Sequence, residues 1–103
     1  MYNNAMLIEY DAVKDQFNQA KHGLSLGQAG FFDWATALIR ADTRFDYQEA
    51  RYQALGLLGM RIHLAVFTIR EDAVRMISLR RANRREERRC QLPRPEGRSL
   101  KRN

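Results

Sequence analysis

Three long runs with extended character stand nearly end to end: Glu49–Leu58, Met60–Arg70 and Ala73–Arg81. A single glycine, Gly59, parts the first two, and the dipeptide Glu71-Asp72 parts the last two. Connections this short leave no room for a crossover, so consecutive strands reverse direction and pair as an antiparallel meander. The rest of the chain must be fitted around that sheet.

Upstream, Met6–Tyr10 reads as a short first strand. Asp11 is a natural N-cap for a helix in which Val13, Phe17 and Ala20 recur at i, i+4 and i+7, which predicts its inward face, and Gly23 is a natural C′ residue. Ser25 and Gln28 have capping-box spacing for a second helix, with Leu24 and Ala29 as a weak staple. Leu26, Ala29 and Phe32 are its core candidates, with Phe31 and Trp34 as further ones. Thr36–Ala41 is a strand candidate, followed by a polar loop around Asp42, Thr43, Arg44 and Asp46. Asn83 and Glu86 repeat the cap spacing, so a final helix is expected from Arg84 to Gln91, ended by Pro93 and Pro95. The order β-α-α-β-β-β-β-α predicts an α+β domain with helices packed on a mostly antiparallel sheet. At 103 residues there is room for one domain, taken as 1–91, with a basic segment over 92–103 expected to be disordered.

Several chemistries are excluded early. Cys90 is the only cysteine, so neither an internal disulfide nor a cysteine-built zinc site is available. No apolar run approaches membrane-spanning length, and the first residues lack a charged leader and an apolar stretch. A cytosolic protein with no membrane partner is expected. Charge is unevenly placed. Arg80–Asn103 holds ten basic residues against three acidic ones, a net of +7, whereas Met1–Leu79 holds eight against nine, a net of −1. That end should attract a polyanion, and nine of its ten basic residues are arginines, which suit bidentate phosphate contacts.

Strand alternation then sorts the side chains into faces. Glu49, Arg51 and Gln53 share one face of their run, with Ala50, Tyr52 and Ala54 on the other. The next run ends in Thr68 and Arg70 on one face, with Ala65, Phe67 and Ile69 opposite. The third ends in Ser78 and Arg80, with Ile77 and Leu79 opposite. If the apolar faces turn toward the helices, Arg51, Arg70 and Arg80 share the other surface; the alternative is three unrelated solvent-facing arginines. No metal-ligand spacing, Gly-rich phosphate loop or Ser-centred nucleophile motif is present, so no cofactor or metal is expected. Arginines around a phosphate, with a proton carrier nearby, would suffice to cut RNA, because RNA supplies its own 2′-hydroxyl nucleophile. His22 and Glu49 are the candidate proton carriers. Next to a C-cap glycine, His22 could equally be a helix-end charge partner, and Glu49 could simply pair with Arg51 or Arg70.

Four stretches, in order, carry a resemblance to a known family. Asn18-Gln19-Ala20-Lys21-His22-Gly23 resembles an N-x-x-K-H-G signature. Glu49-Ala50-Arg51-Tyr52-Gln53-Ala54-Leu55-Gly56 resembles E-x-R-[YF]-x-x-[LI]-G. Val66-Phe67-Thr68-Ile69-Arg70 resembles V-x-T-x-R. The run from Arg75 through Ser78, Arg80 and Ala82 to Glu87-Arg88 resembles R-[IL]-I-S-x-R-x-A-x-x-x-E-R. Together they resemble the BrnT toxins, a branch of the RelE-like ribonuclease fold. Departures are Ile8-Glu9-Tyr10-Asp11 at the start, Trp34 after the second helix, and the basic tail.

The resemblance implies the toxin of a type II toxin–antitoxin system, a metal-independent endoribonuclease that blocks translation. It implies a cognate ribbon-helix-helix antitoxin of the BrnA type, assembled as a heterotetramer that meets operator DNA only through the antitoxin. Residue by residue it points to Lys21, His22, Glu49, Arg51, Arg70 and Arg80 as catalytic candidates. Thr68, Ser78, Arg81, Arg84, Arg85 and Arg88 are the RNA-binding candidates. The competing readings are a non-enzymatic RNA- or DNA-binding module built on the Arg84–Arg89 helix and tail, or an inactive homologue acting as operon co-repressor. A chain ending at Leu92 separates attraction from chemistry: it should bind RNA more weakly at low salt, and the deficit should shrink as salt screens the exposed charges. Filter binding across a salt series measures this; a truncation inactive at every salt concentration would move the active site into the tail.

Overall fold

The computed structural model describes residues 7–90 except 45 and 47. Its elements run β1 (Leu7–Glu9), α1 (Ala12–His22), a 3₁₀ helix (Leu26–Phe31), β2 (Leu38–Ala41), β3 (Tyr52–Leu58), β4 (Arg61–Arg70), β5 (Ala73–Arg81) and α2 (Arg84–Arg89). The five strands form one sheet in the order β1-β5-β4-β3-β2. All neighbours are antiparallel except β1, which lies parallel to β5. The meander of β3, β4 and β5 has the expected order and direction, closed by Gly59 at φ 65° and by Glu71 at φ 54°, but its first strand begins at Tyr52 and not at Glu49. The disorder expected of 92–103 lies outside the described residues.

One face of the sheet carries the main core. Leu26, Ala29 and Phe32 of the 3₁₀ segment pack on Ala54, Ala65, Phe67, Met76 and Leu79. Trp34 closes it, edge-on to both Phe32 and Phe67, with its indole N–H donating to the Ala29 carbonyl at 3.0 Å. Phe31, a sequence candidate for this core, is 76% exposed instead. In a 3₁₀ helix residues three apart eclipse, so Leu26, Ala29 and Phe32 line up and Phe31 is turned out. The other face carries a second, smaller apolar cluster, where Leu55, Ile62, Leu64 and Val66 meet Cys90 at the end of α2. That short helix is fixed by the reciprocal capping box of Asn83 and Glu86.

Two expectations are corrected. Val13, Phe17 and Ala20 do not form the inward face of α1. All three are exposed, Phe17 by 71%, and Asn18 is the helix's buried residue. Its carboxamide works on the edge of β5 left bare beyond β1: Oδ1 accepts from the Leu79 N–H at 3.0 Å and Nδ2 donates to the Leu79 carbonyl at 2.8 Å. A polar clamp on a strand edge, and not an apolar stripe, docks this helix. Second, β5 does not alternate strictly. Val66 faces Ser78 but Phe67 faces Met76, so Ile77 is an extra, bulged residue. Met76 and Leu79 therefore both enter the main core, while Ile77 packs against the second cluster. The same half-step carries Arg75 to the face of Ser78 and Arg80.

Gly56 is demanded by close approach. A Cβ built there would lie 2.8 Å from the Phe32 ring and 3.0 Å from the Ala37 Cβ. Gly56→Val should destabilise the fold by about 1–3 kcal/mol or more, as overpacking does. A urea midpoint unchanged from wild type would show that the 3₁₀ segment does not pack as described.

Candidate active site

The half of the second face that α2 leaves uncovered is where the polar residues gather. Thr68 is buried there in the middle of the sheet, opposite Arg75 on β5. Arg51 immediately precedes the Tyr52–Phe67 pair, which puts it beside Thr68 on the β3 side. Glu49, Arg51, Thr68, Arg70 and Arg75, with Lys14 from α1, line one pocket of about 300 Å³. Arg70 is held by Glu49 at 3.2 Å and Arg75 by Glu9 at 3.0 Å, both in half-exposed ion pairs. Such pairs contribute little to stability, so an incoming phosphate can compete for these guanidiniums at small cost.

A second pocket of about 300 Å³ adjoins the first and shares Lys14 and Ile77 with it. Phe17, Lys21, His22 and Ser78 complete its working walls. The Asn18 clamp sets this geometry, because it fixes the last turns of α1 against β5. Asn18 Nδ2 also donates to the Leu24 carbonyl at 2.8 Å, and Gly23 at φ 73° ends the helix, so His22 sits at a defined terminus. Asp15 ties the same helix to the next segment by accepting from the Leu26 N–H at 2.7 Å, a bond that holds its carboxyl below the usual range. The His22 pKa is pushed below 6.5, first by partial burial and then by the charges of Lys21 and Arg80. Neutral imidazole, the form able to accept a proton, therefore persists into mildly acidic solution.

The remaining sequence candidates are placed differently. Arg80 lines neither pocket. Its guanidinium makes a two-nitrogen contact with Glu86 at 2.9 and 2.8 Å, which joins β5 to α2 and draws the Glu86 pKa down. It still acts on His22 through its charge. Arg81 pairs across with His63 and so looks to the opposite face. Arg84, Arg85 and Arg88 lie exposed on α2, away from both pockets. The structure thus brings together Glu49, Arg51, Thr68 and Arg70, and beside them Lys21, His22 and Ser78. Lys14, Asn18 and Arg75 join the site without having been singled out. The bulge hid Arg75 from strict alternation, and Lys14 fell outside the set of Val13, Phe17 and Ala20 that helical periodicity picked out. Among the described residues, no three of His, Cys, Asp and Glu gather as a metal site would require.

A family model described as "Ribonuclease toxin, BrnT, of type II toxin-antitoxin system" matches residues 10–86. The chain belongs to the BrnT family. The match takes in every pocket residue named above. Among solved structures, the chain is similar to the ribonuclease toxin BrnT of Brucella abortus, with 31% identity and a TM-score of 0.60, over 78% of this chain and 100% of that one. No curated sequence relative matches. The α+β fold with its five-stranded, mostly antiparallel sheet is therefore the fold of a BrnT toxin. Among the described residues no helix is long and apolar enough to cross a membrane.

Asn18→Ala should leave the Leu79 N–H and carbonyl without their partner and cost about 2–4 kcal/mol. Chemical denaturation measures it; an unchanged midpoint would remove the clamp from its place in the site.

Proposed function

We propose that this BrnT-family chain is a metal-independent endoribonuclease that cuts single-stranded RNA by transesterification at the groove formed by the two pockets. The observation that carries this reading is the convergence of Arg51, Arg70 and Arg75 around Thr68, next to a helix end that presents a histidine of lowered pKa. The arginines bind the scissile phosphate and offset the negative charge that builds on its oxygens in the transition state. Neutral His22 takes the proton from the 2′-hydroxyl as that oxygen attacks phosphorus. The bond from phosphorus to the 5′-oxygen breaks, and Lys21, one residue away, is the ammonium able to protonate the departing oxygen. The products are a 2′,3′-cyclic phosphate and a free 5′-hydroxyl. Glu49 orients Arg70 through their ion pair, and Arg80 keeps the His22 pKa low while bracing α2.

A ribonuclease with an open basic groove needs a cover in the cell that makes it. We assign that part to an antitoxin of the BrnA type, with a ribbon-helix-helix DNA-binding end, in a heterotetramer that meets operator DNA through the antitoxin. Free toxin would block translation by depleting messenger RNA.

Replacing Arg51, Arg70 or Arg75 by Ala should slow RNA cleavage on the order of a hundredfold each with folding intact. The pH–rate profile should carry an acidic limb below pH 6.5, because protonation of His22 removes the base, and His22→Ala should abolish that limb. Three arginine variants that cleave at the wild-type rate would defeat this assignment. A pH–rate profile whose acidic limb is unchanged in His22→Ala would defeat the role of His22.

A further inference from the structure

Phe17 is 71% exposed, in the middle of a helix and on the rim of the second pocket. Lys14 and Lys21 stand one turn to either side of it, at i−3 and i+4, and line the same pocket. Seven residues of helix set the two lysine backbone positions roughly 10 Å apart along its axis. The helix thus offers an aromatic ring between two cations. Packing among the described residues does not account for the ring, since α1 is docked by Asn18 and the main core is built without Phe17.

We propose that Phe17 is a stacking platform for a nucleobase adjacent to the scissile phosphate. The inference rests on the ribonuclease reading above and extends it to a recognition subsite. Three features favour RNA as the occupant. The pocket runs into the arginine pocket through the shared Lys14 and Ile77, so a strand whose phosphate lies on Arg51, Arg70 and Arg75 reaches Phe17 without leaving the protein surface. A nucleotide stacked on the ring carries a phosphate on each side, which matches Lys14 and Lys21. Every base has a π-face, so the platform takes unpaired bases of any sequence and rejects duplex RNA, whose bases are already stacked. Phe17 is therefore a binding residue that favours single strands, while the arginines and His22 act on the reacting atoms.

The test uses a short single-stranded 2′-O-methyl oligoribonucleotide of mixed sequence, which binds but has no free 2′-hydroxyl to attack with. Its affinity for the full chain is measured by fluorescence anisotropy, alongside cleavage of the matching unmodified RNA. Phe17→Ala should weaken binding on the order of tenfold and raise KM more than it lowers kcat; Phe17→Tyr should keep both near wild type. An oligonucleotide with an abasic site at the stacked position should bind wild type more weakly and the Ala variant no worse than the intact strand. If wild type binds and cleaves RNA but Phe17→Ala does so equally well, the platform is wrong and the active-site assignment stands. The same holds if Phe17→Ala leaves RNA binding intact and loses only capture of a BrnA-type antitoxin, since the ring then serves a protein contact. If wild type neither binds nor cleaves RNA, the ribonuclease reading falls and the platform falls with it.

Discussion

The central strand is covered on both sides, and the covering stops short of one end. Ile62–Thr68 of β4 are all buried. On one face the 3₁₀ segment and Trp34 seal the strand under aromatic rings. On the other, among the described residues, the cover is α2, whose six residues and Cys90 reach the cluster of Leu55, Ile62, Leu64 and Val66. Past Val66 the sheet runs on beyond the reach of α2. Thr68, Arg51, Arg70 and Arg75 lie there, and a rigid sheet end facing solvent is a favourable place to hold several cations at fixed spacing for one phosphate.

Two local irregularities turn that open end into a site. The bulge at Ile77 moves Arg75 onto the polar face and keeps Met76 and Leu79 both in the core. Without it, one of the three arginines would point into apolar surroundings at a high desolvation cost. Asn18 supplies the second. By satisfying both backbone groups of Leu79, it lets a helix lie against a bare strand edge and frees the remaining faces of that helix from packing. Lys14, Phe17, Lys21 and His22 can then all look into one groove. The asparagine of the N-x-x-K-H-G stretch docks the helix, and its lysine and histidine line the pocket beside the sheet.

The meander was legible because Gly59 and Glu71-Asp72 leave no other way to join such strands, and β5 runs over the expected Ala73–Arg81. The caps at Asp11, Gly23 and Asn83 were legible for the same reason, since each is a local choice of side chain or φ. What failed depended on contacts distant in sequence. Helical periodicity marked Val13 and Phe17 as core, but 61 residues separate Asn18 from the strand edge that decides the docking. Alternation placed Arg51, Thr68 and Arg70 correctly on one face, yet it assumed an unbroken register and so assigned Ile77 to the wrong side. Arg80 does share the face of Arg51 and Arg70 that alternation gave it, but its ion pair with Glu86 could be seen only with α2 folded back.

The chemistry assigned to this surface leaves its signature on the ends of the RNA. An in-line attack by the 2′-oxygen, helped by arginines and a histidine, requires fragments ending in 2′,3′-cyclic phosphate and beginning with 5′-hydroxyl, formed at an undiminished rate in excess chelator. Mass spectrometry of the products from a defined single-stranded RNA incubated with the full chain and EDTA reads this directly. Cyclic phosphate and 5′-hydroxyl ends are the predicted result; 5′-phosphate ends, or cleavage that stops when EDTA is added, would contradict it.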